Sequence, residues 1–349
     1  MGRGRLVRPR RPAGRPGTGE ADVLHRNDRG DVLLLTGTLA ILCGGFGAAR
    51  FLSGRPSRVD PHLTCIVNTA DDLDYAGLHV SPDVDTVAYA LAGRYDFDRG
   101  WGLVGDTFTN AEALRRFGEG WFGIGDEDLA THLHRTERLA AGATLTEATA
   151  GMAAGLGLSA RVLPMSDDPV GTVVVTEEGR LPFQEWLVRH RAGPPVLRVE
   201  HEGVEEARPA PGVIDALVHA DLVVIAPSNP VSSIGPILEL AGVHDALVSR
   251  VLPTVAISPV VTGRDPVTEP ERFRARVREE FMMSRGLEHT PASVAGLYAG
   301  FASTFVLDFH DGDQRPAIEA RGLEVVLADT LAPAALWEEL SPATPGPGS

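Results

Sequence analysis

The chain has no lysine: all 32 of its basic residues are arginine. With alanine, glycine and proline abundant, this reads as the coding bias of a GC-rich source, and no function follows from it. It does exclude a P-loop, whose phosphate site requires Gly-Lys-Ser/Thr. Cysteine is nearly absent as well. Cys43 and Cys65 are the only two, each within or at the end of an apolar run that reads as a strand, so buried thiols of a reducing, cytoplasmic compartment are expected rather than a disulfide. No metal-type Cys or His spacing occurs. Positive charge is also lacking: the formal net charge is −15, and because residues 1–33 hold eight arginines against four acids, the remainder carries −19. Nucleic-acid binding by the folded part is thereby excluded. No apolar run is long enough to span a membrane. Arg10-Arg11 ahead of the apolar run 32–43 imitates an export signal. Against that reading, Asp28 and Asp31 precede the run, no small-residue cleavage site follows it, and Leu42 before Cys43 spoils a lipoprotein box. Residues 1–33 are expected to be a disordered Pro/Gly/Arg-rich extension or an overlong gene start, and 341–349 a disordered tail.

What is present is a core-forming chain of 349 residues, 43% of them hydrophobic, enough for one large or two ordinary domains. Apolar runs at 38–43, 63–67, near 162, 222–226, 255–258, 305–309 and 324–328 read as strands. Between them lie helical patterns at 110–117, 128–139, 146–158, 212–219, 269–284 and 291–302. Such alternation predicts an α/β fold, a doubly wound, mostly parallel, Rossmann-like sheet. Residues 171–188 break the pattern as a β-rich excursion. The expected organisation is a single domain over 34–340, with a smaller β-rich and helical insertion around 100–210 capping the cleft.

The chemistry concentrates in 68–92. Asn68 to Asp72 leave the C-terminal edge of a short buried strand, where open α/β sheets place their ligands. Ser81 is expected to N-cap a helix with Pro82 at its first position, which puts Asp83 and Asp85 in the first turn. Asp83 there complements the helix dipole without needing any further role. Asp71 and Asp72 repel each other and have no helix of their own to complement. A solvated loop and a magnesium-phosphate site are both consistent with them. Two further anion sites are candidates. Gly44-Gly45-Phe46-Gly47 turns the first strand into a helix, with Gly47 expected at positive φ, although Arg50 replaces the third glycine of a dinucleotide fingerprint. Pro227-Ser228-Asn229-Pro230 ends the strand at 222–226. His132 and Arg135 fall on one face of the helix at 128–139, where a lone histidine is usually a surface or satisfied core residue.

In order, these segments together with Gly105-Asp106-Thr107-Phe108, Gly125-Asp126, Pro164-Met165-Ser166-Asp167-Asp168 and Phe183-Gln184-Glu185 resemble the CofD/FbiA family over roughly residues 38–260. That family comprises the 2-phospho-L-lactate transferases of coenzyme F-420 biosynthesis. The resemblance implies a magnesium-dependent homodimer that transfers phospholactate or phosphoenolpyruvate from a guanosine diphosphate-linked donor to the deazaflavin Fo. It implies Asp71 and Asp85 as catalytic metal ligands. Asn68, Asp72, Asp85, Gly123, Asp126 and Asp167 would bind substrate, and Gly44, Gly45, Gly47, Ser228 and Asn229 the donor phosphates. Gly123, where many archaeal members carry lysine, is similar to the actinobacterial FbiA branch. One departure stands after Ser258-Pro259: where the family continues Ile-Ile-Gly-Gly and later Gly-Pro-Ala, this chain has Val260-Val261-Thr262-Gly263-Arg264 and Thr268-Glu269-Pro270. A nicotinamide-dependent oxidoreductase is disfavoured by Asn68, which stands where a ribose-binding acid belongs. A nucleotide-sugar-binding regulator of the same superfamily would leave the Fo-side carboxylates without purpose.

Overall fold

The computed structural model describes residues 37–118 and 120–340. The extension 1–33 and the tail 341–349 lie outside the described residues. In chain order the strands are β1 (Leu39–Cys43), β2 (Leu63–Val67), β3 (Leu73–Tyr75), β4 (Leu78–Val80), β5 (Arg161–Pro164) and β6 (Gly171–Thr176). They continue with β7 (Gly179–Pro182), β8 (Arg198–Glu202), β9 (Leu222–Ile225), β10 (Thr254–Ile257), β11 (Thr304–Asp308) and β12 (Glu324–Ala328). Seven of them form one sheet in the order β12-β11-β10-β9-β1-β2-β5, and every pairing is parallel.

Parallel strands are covered on both faces, so they read as unbroken apolar runs, and here alternate residues serve two separate cores. Ala40, Leu42, Ile66, Val223, Ile225 and Phe305 pack on one face with the helix Glu269–Ser284. Ile41, Cys43, Cys65, Val67, Val224 and Ile257 pack on the other with the helices Gly45–Ser53 and Pro82–Leu91. This is the Rossmann-like, doubly wound architecture. Cys43 and Cys65 are free and buried.

From β1 the chain moves outward through β2 to β5, then returns to lay β9 on the opposite side of β1. The direction of winding therefore reverses between β1 and β9, and the loops after these strands open the crevice in which such sheets bind ligands. Two excursions overhang it. One holds the hairpin β3–β4 and the helices Thr109–Arg115, Asp128–Ala140 and Leu145–Gly155. The other is the antiparallel sheet β7-β6-β8 with the wide helical turn Glu185–Arg189. Between them β5 belongs to the main sheet, so the segment 100–210 is not one continuous insertion. Of the β-rich excursion expected over 171–188, only the part up to Pro182 is extended, and Glu185–Arg189 is helical.

Candidate active site

The loops above β1, β2, β9 and β10 surround a cavity of about 920 Å³. Its floor is the glycine turn. Gly45 holds a φ of +63°, which only glycine adopts freely, and the helix Gly45–Ser53 follows directly. Ser228 fastens this turn to the loop after β9: the Gly44 N–H donates to Ser228 Oγ (3.2 Å), which in turn donates to the Gly44 carbonyl (2.8 Å). Gly47 is not at positive φ. It must be glycine because a Cβ there would stand 2.0 Å from the Pro227 carbonyl oxygen. Asn229 lines the cavity and accepts from the Val231 and Ser232 N–H groups, whereas Ser228 is buried beneath it.

The carboxylates separate into different environments. Asp71, Asp83 and Asp85 all line the cavity and all are buried. Asp72 does not line it. It accepts from Ser81 Oγ (2.7 Å) and lies 3.2 Å from His79 Nε2, which ties the β3–β4 hairpin to the helix start. Ser81 therefore makes no capping bond. Asp83, which the sequence allowed as a dipole complement alone, accepts from Asn68 Nδ2 (3.0 Å) while Asn68 Oδ1 accepts the Ala70 N–H (3.0 Å). Burial pushes Asp83 up to about 7, with the Asp72 charge adding to it and the Asn68 hydrogen bond opposing. Burial, then repulsion from Asp83, holds Asp71 well above the usual carboxylate range. Asp71 Oδ1 and Asp85 Oδ2 have no hydrogen-bond partner. Buried acids with free lone pairs are hard oxygen donors, and this donor set fits magnesium.

Behind Asp85 stands a network that sequence reading noticed only as a helix face. Asp128, His132 and Arg135 follow the i, i+4, i+7 spacing of one buried stripe. Arg135 forms an ion pair with Asp85 and lies 3.3 Å from His132 Nδ1. His132 Nε2 is 3.4 Å from Asp128, which accepts from the Tyr89 hydroxyl at 2.6 Å. Burial disfavours the Asp128 charge, but hydrogen bonds from His132 and Tyr89 outweigh it and hold the acid below its ordinary value. Asp85, Asp128 and His132 place ligand-type atoms within 4.8 Å of one another. The Arg135 guanidinium pairs with Asp85 Oδ1 and opposes a cation between Asp128 and His132, so Asp128, His132 and Arg135 read as an ion-pair network that orients Asp85 and leaves only its Oδ2 as a donor for a metal shared with Asp71. Asp126 and Asp167 are not brought to the cavity. Asp126 accepts from Thr107 Oγ1 and from the Thr109 and Asn110 N–H groups at the start of the helix Thr109–Arg115. Asp167 accepts the Thr146 N–H (2.7 Å) and hydroxyl (2.8 Å) at the start of the helix Leu145–Gly155.

The family model described as 2-phospho-L-lactate transferase CofD matches residues 39–284. The chain belongs to the CofD family. It is 40% identical over 293 residues to a Streptomyces griseus protein named phosphoenolpyruvate transferase, covering 82% of this chain and 90% of that one. It is 39% identical over 295 residues to a Methanosarcina acetivorans protein named 2-phospho-L-lactate transferase, covering 84% and 93%. A solved UPF0052-family protein from Bacillus halodurans superposes with a TM-score of 0.56 at 18% identity over 84% of this chain and 93% of that one, a likeness of fold.

In this CofD-family chain the upper cavity wall is aromatic, although aromatic residues are only 6% of the sequence. Tyr89, Tyr95, Trp101, Trp121 and Phe122 all face the cavity. A Cβ at Gly123 would stand 2.7 Å from Trp101 Cη2, so the glycine makes room for the indole. The segment after Ser258, where the chain departs from the family pattern, and the helix that follows supply Arg264, Arg274 and Arg278 to the lining. No helix among the described residues is long and apolar enough to cross a membrane.

Proposed function

We infer that the protein transfers a phosphoenolpyruvyl or phospholactyl group from a guanosine diphosphate-linked donor to the terminal ribityl hydroxyl of Fo, releasing GMP, in coenzyme F-420 biosynthesis. The observation that carries this reading is the three-sided cavity, with buried acids, a glycine turn backed by arginines, and an aromatic wall suited to a flat ring system. Family membership and relatives named for both transfers support it.

Asp71 and Asp85 would hold magnesium, which when bound supplies positive charge to the donor diphosphate. The chain's own groups do the rest. The glycine turn and the Asn229 loop position phosphate, and the aromatic wall orients the acceptor. In-line positioning and charge neutralisation suffice for phosphoryl transfer, and no covalent enzyme intermediate is required. The reading includes a cytoplasmic homodimer, which sedimentation would check.

Incubation with Fo, magnesium and each donor in turn tests the proposal. GMP release with a matching mass gain on Fo is expected. No turnover with either donor, together with tight binding of a UDP-sugar, would favour the regulator instead.

A further inference from the structure

The helix Glu269–Ser284 begins in the departing segment with a capping box, in which Thr268 Oγ1 accepts the Glu271 N–H (3.3 Å) and Glu271 accepts the Thr268 N–H (3.2 Å). Arg274, Val277 and Arg278 of this helix line the cavity at i, i+3 and i+4, on one face. Arg274 stacks with its guanidinium carbon 3.7 Å from the centre of the Phe46 ring in the glycine turn. Further along the same face, Phe281 packs 5.6 Å from Phe183 and 5.2 Å from Trp186 in the overhanging segment. Arg278 lies between, about 6 Å along the axis from Arg274 at the usual rise per residue. The two arginines thus form a strip leading away from the glycine turn.

This strip carries positive charge that no carboxylate pairs with directly, Glu271 attracting Arg274 only from a distance. Arg50 and Arg264 share Glu271 at 3.6 and 3.7 Å, but among the described residues Arg274 and Arg278 form no ion pair. Arg278 Nε donates to His289 Nε2 at 3.3 Å. Burial, then the Arg278 charge, pushes His289 down to about 4, so it is a neutral acceptor. Burial and repulsion from Arg274 push Arg278 down to about 10, which leaves it charged at neutral pH. Two neighbouring guanidinium groups half-removed from water are costly without a counter-ion. A chain with 47 acidic residues has not supplied one here.

We propose that Arg274 and Arg278 clamp the diphosphate of the donor as it leaves the glycine turn. A guanidinium fork matches phosphate oxygens bidentately, and two forks one helical turn apart can engage successive phosphates. The identity of the donor rests on the function inferred above, but the anion chemistry does not. The carboxylate of the donor's three-carbon acid is the other anion that could lie here, and GDP and inorganic pyrophosphate both lack it.

Calorimetry on the full chain with GDP, pyrophosphate and Fo, using wild type, Arg274→Gln, Arg278→Gln and Arg278→Lys, tests the clamp. Each glutamine variant is expected to weaken GDP and pyrophosphate by about tenfold or more, the scale of a lost charge-assisted hydrogen bond. Arg278→Lys should fall between, and Fo affinity should stay within about twofold of wild type. Undiminished binding of both phosphate probes by the variants overturns the clamp. That outcome would assign the arginines to the donor's carboxylate instead. If Arg278→Gln does not fold, Arg274→Gln alone discriminates between these outcomes. Wild type that binds pyrophosphate but neither GDP nor Fo would sink the inferred function and leave the clamp standing. Wild type and variants that bind GDP alike would do the reverse.

Discussion

At the scale of the residue, Asp71 and Asp85 look equivalent in the sequence and are not. Asp71 is buried beside Asp83 with a free oxygen, so Asp71→Asn removes like-charge repulsion. It should keep or raise the thermal midpoint while turnover falls roughly 100-fold, the scale of a positioned electrostatic group. Asp85 compensates the buried Arg135. Asp85→Asn leaves that guanidinium without its partner and should cost about 3–5 kcal/mol, lowering the midpoint by roughly 10 °C in a domain this large. Thermal scans beside turnover assays separate the two, and equal midpoints would refute the assignment of Arg135. Sequence spacing located both acids but could not reveal the difference, because Arg135 arrives 50 residues after Asp85. His289 allows a check by pH. Its folded value of about 4 lies below the ordinary 6.5. As pH falls from 6.5 through 4 the unfolded chain takes up a proton that the folded chain refuses, so stability is lost. The half-open site limits this to on the order of 1 kcal/mol, and His289→Gln should flatten that part of the stability curve.

At the scale of the element, the parallel strands were legible because burial on both faces leaves unbroken apolar runs such as Leu39–Cys43. The β3–β4 hairpin was not, since two strands of three residues carry too little pattern to distinguish them from loop. Ser81 was misread for a related reason: its hydroxyl is taken by Asp72, a competitor that helix-start rules do not count. Gly47 shows how the right residue can be chosen on a different ground. A positive φ was expected, whereas the observed constraint is the approach of the helix Gly45–Ser53 to the Pro227 carbonyl. Gly47→Ala should therefore destabilise by about 1–3 kcal/mol through overpacking. Because the displaced loop carries Asn229, Ser232 and Ser233 to the cavity, donor binding should weaken with it. A variant with a wild-type midpoint but no donor affinity would return Gly47 to a direct phosphate contact.

At the scale of the molecule, the cavity is polarised. Buried acids extend from the end of β2 and the helix Pro82–Leu91, and arginines without a directly paired carboxylate face the glycine turn from the helix Glu269–Ser284. The acidic end was legible beforehand and the arginine strip was not, since Arg274 and Arg278 lie beyond the residues at which the chain departs from the family pattern, within a helix whose many charges do not reveal which of them face the cavity. In a chain of net charge −15, a diphosphate brought against Asp71, Asp83 and Asp85 meets repulsion unless a cation lies between them. Magnesium and GDP should therefore bind cooperatively. Linkage requires the coupling to be reciprocal, so magnesium should tighten GDP by the factor by which GDP tightens magnesium, about tenfold for a typical coupling free energy. Asp71→Asn should shrink that factor by removing one of the charges the cation offsets, while Arg274→Gln should lower GDP affinity with and without magnesium and leave the factor intact. Titration of GDP at several magnesium concentrations in the three proteins measures all of this at once. A wild-type GDP affinity indifferent to magnesium would mean that the acids serve the acceptor end alone, and that the arginines carry the donor diphosphate without metal assistance.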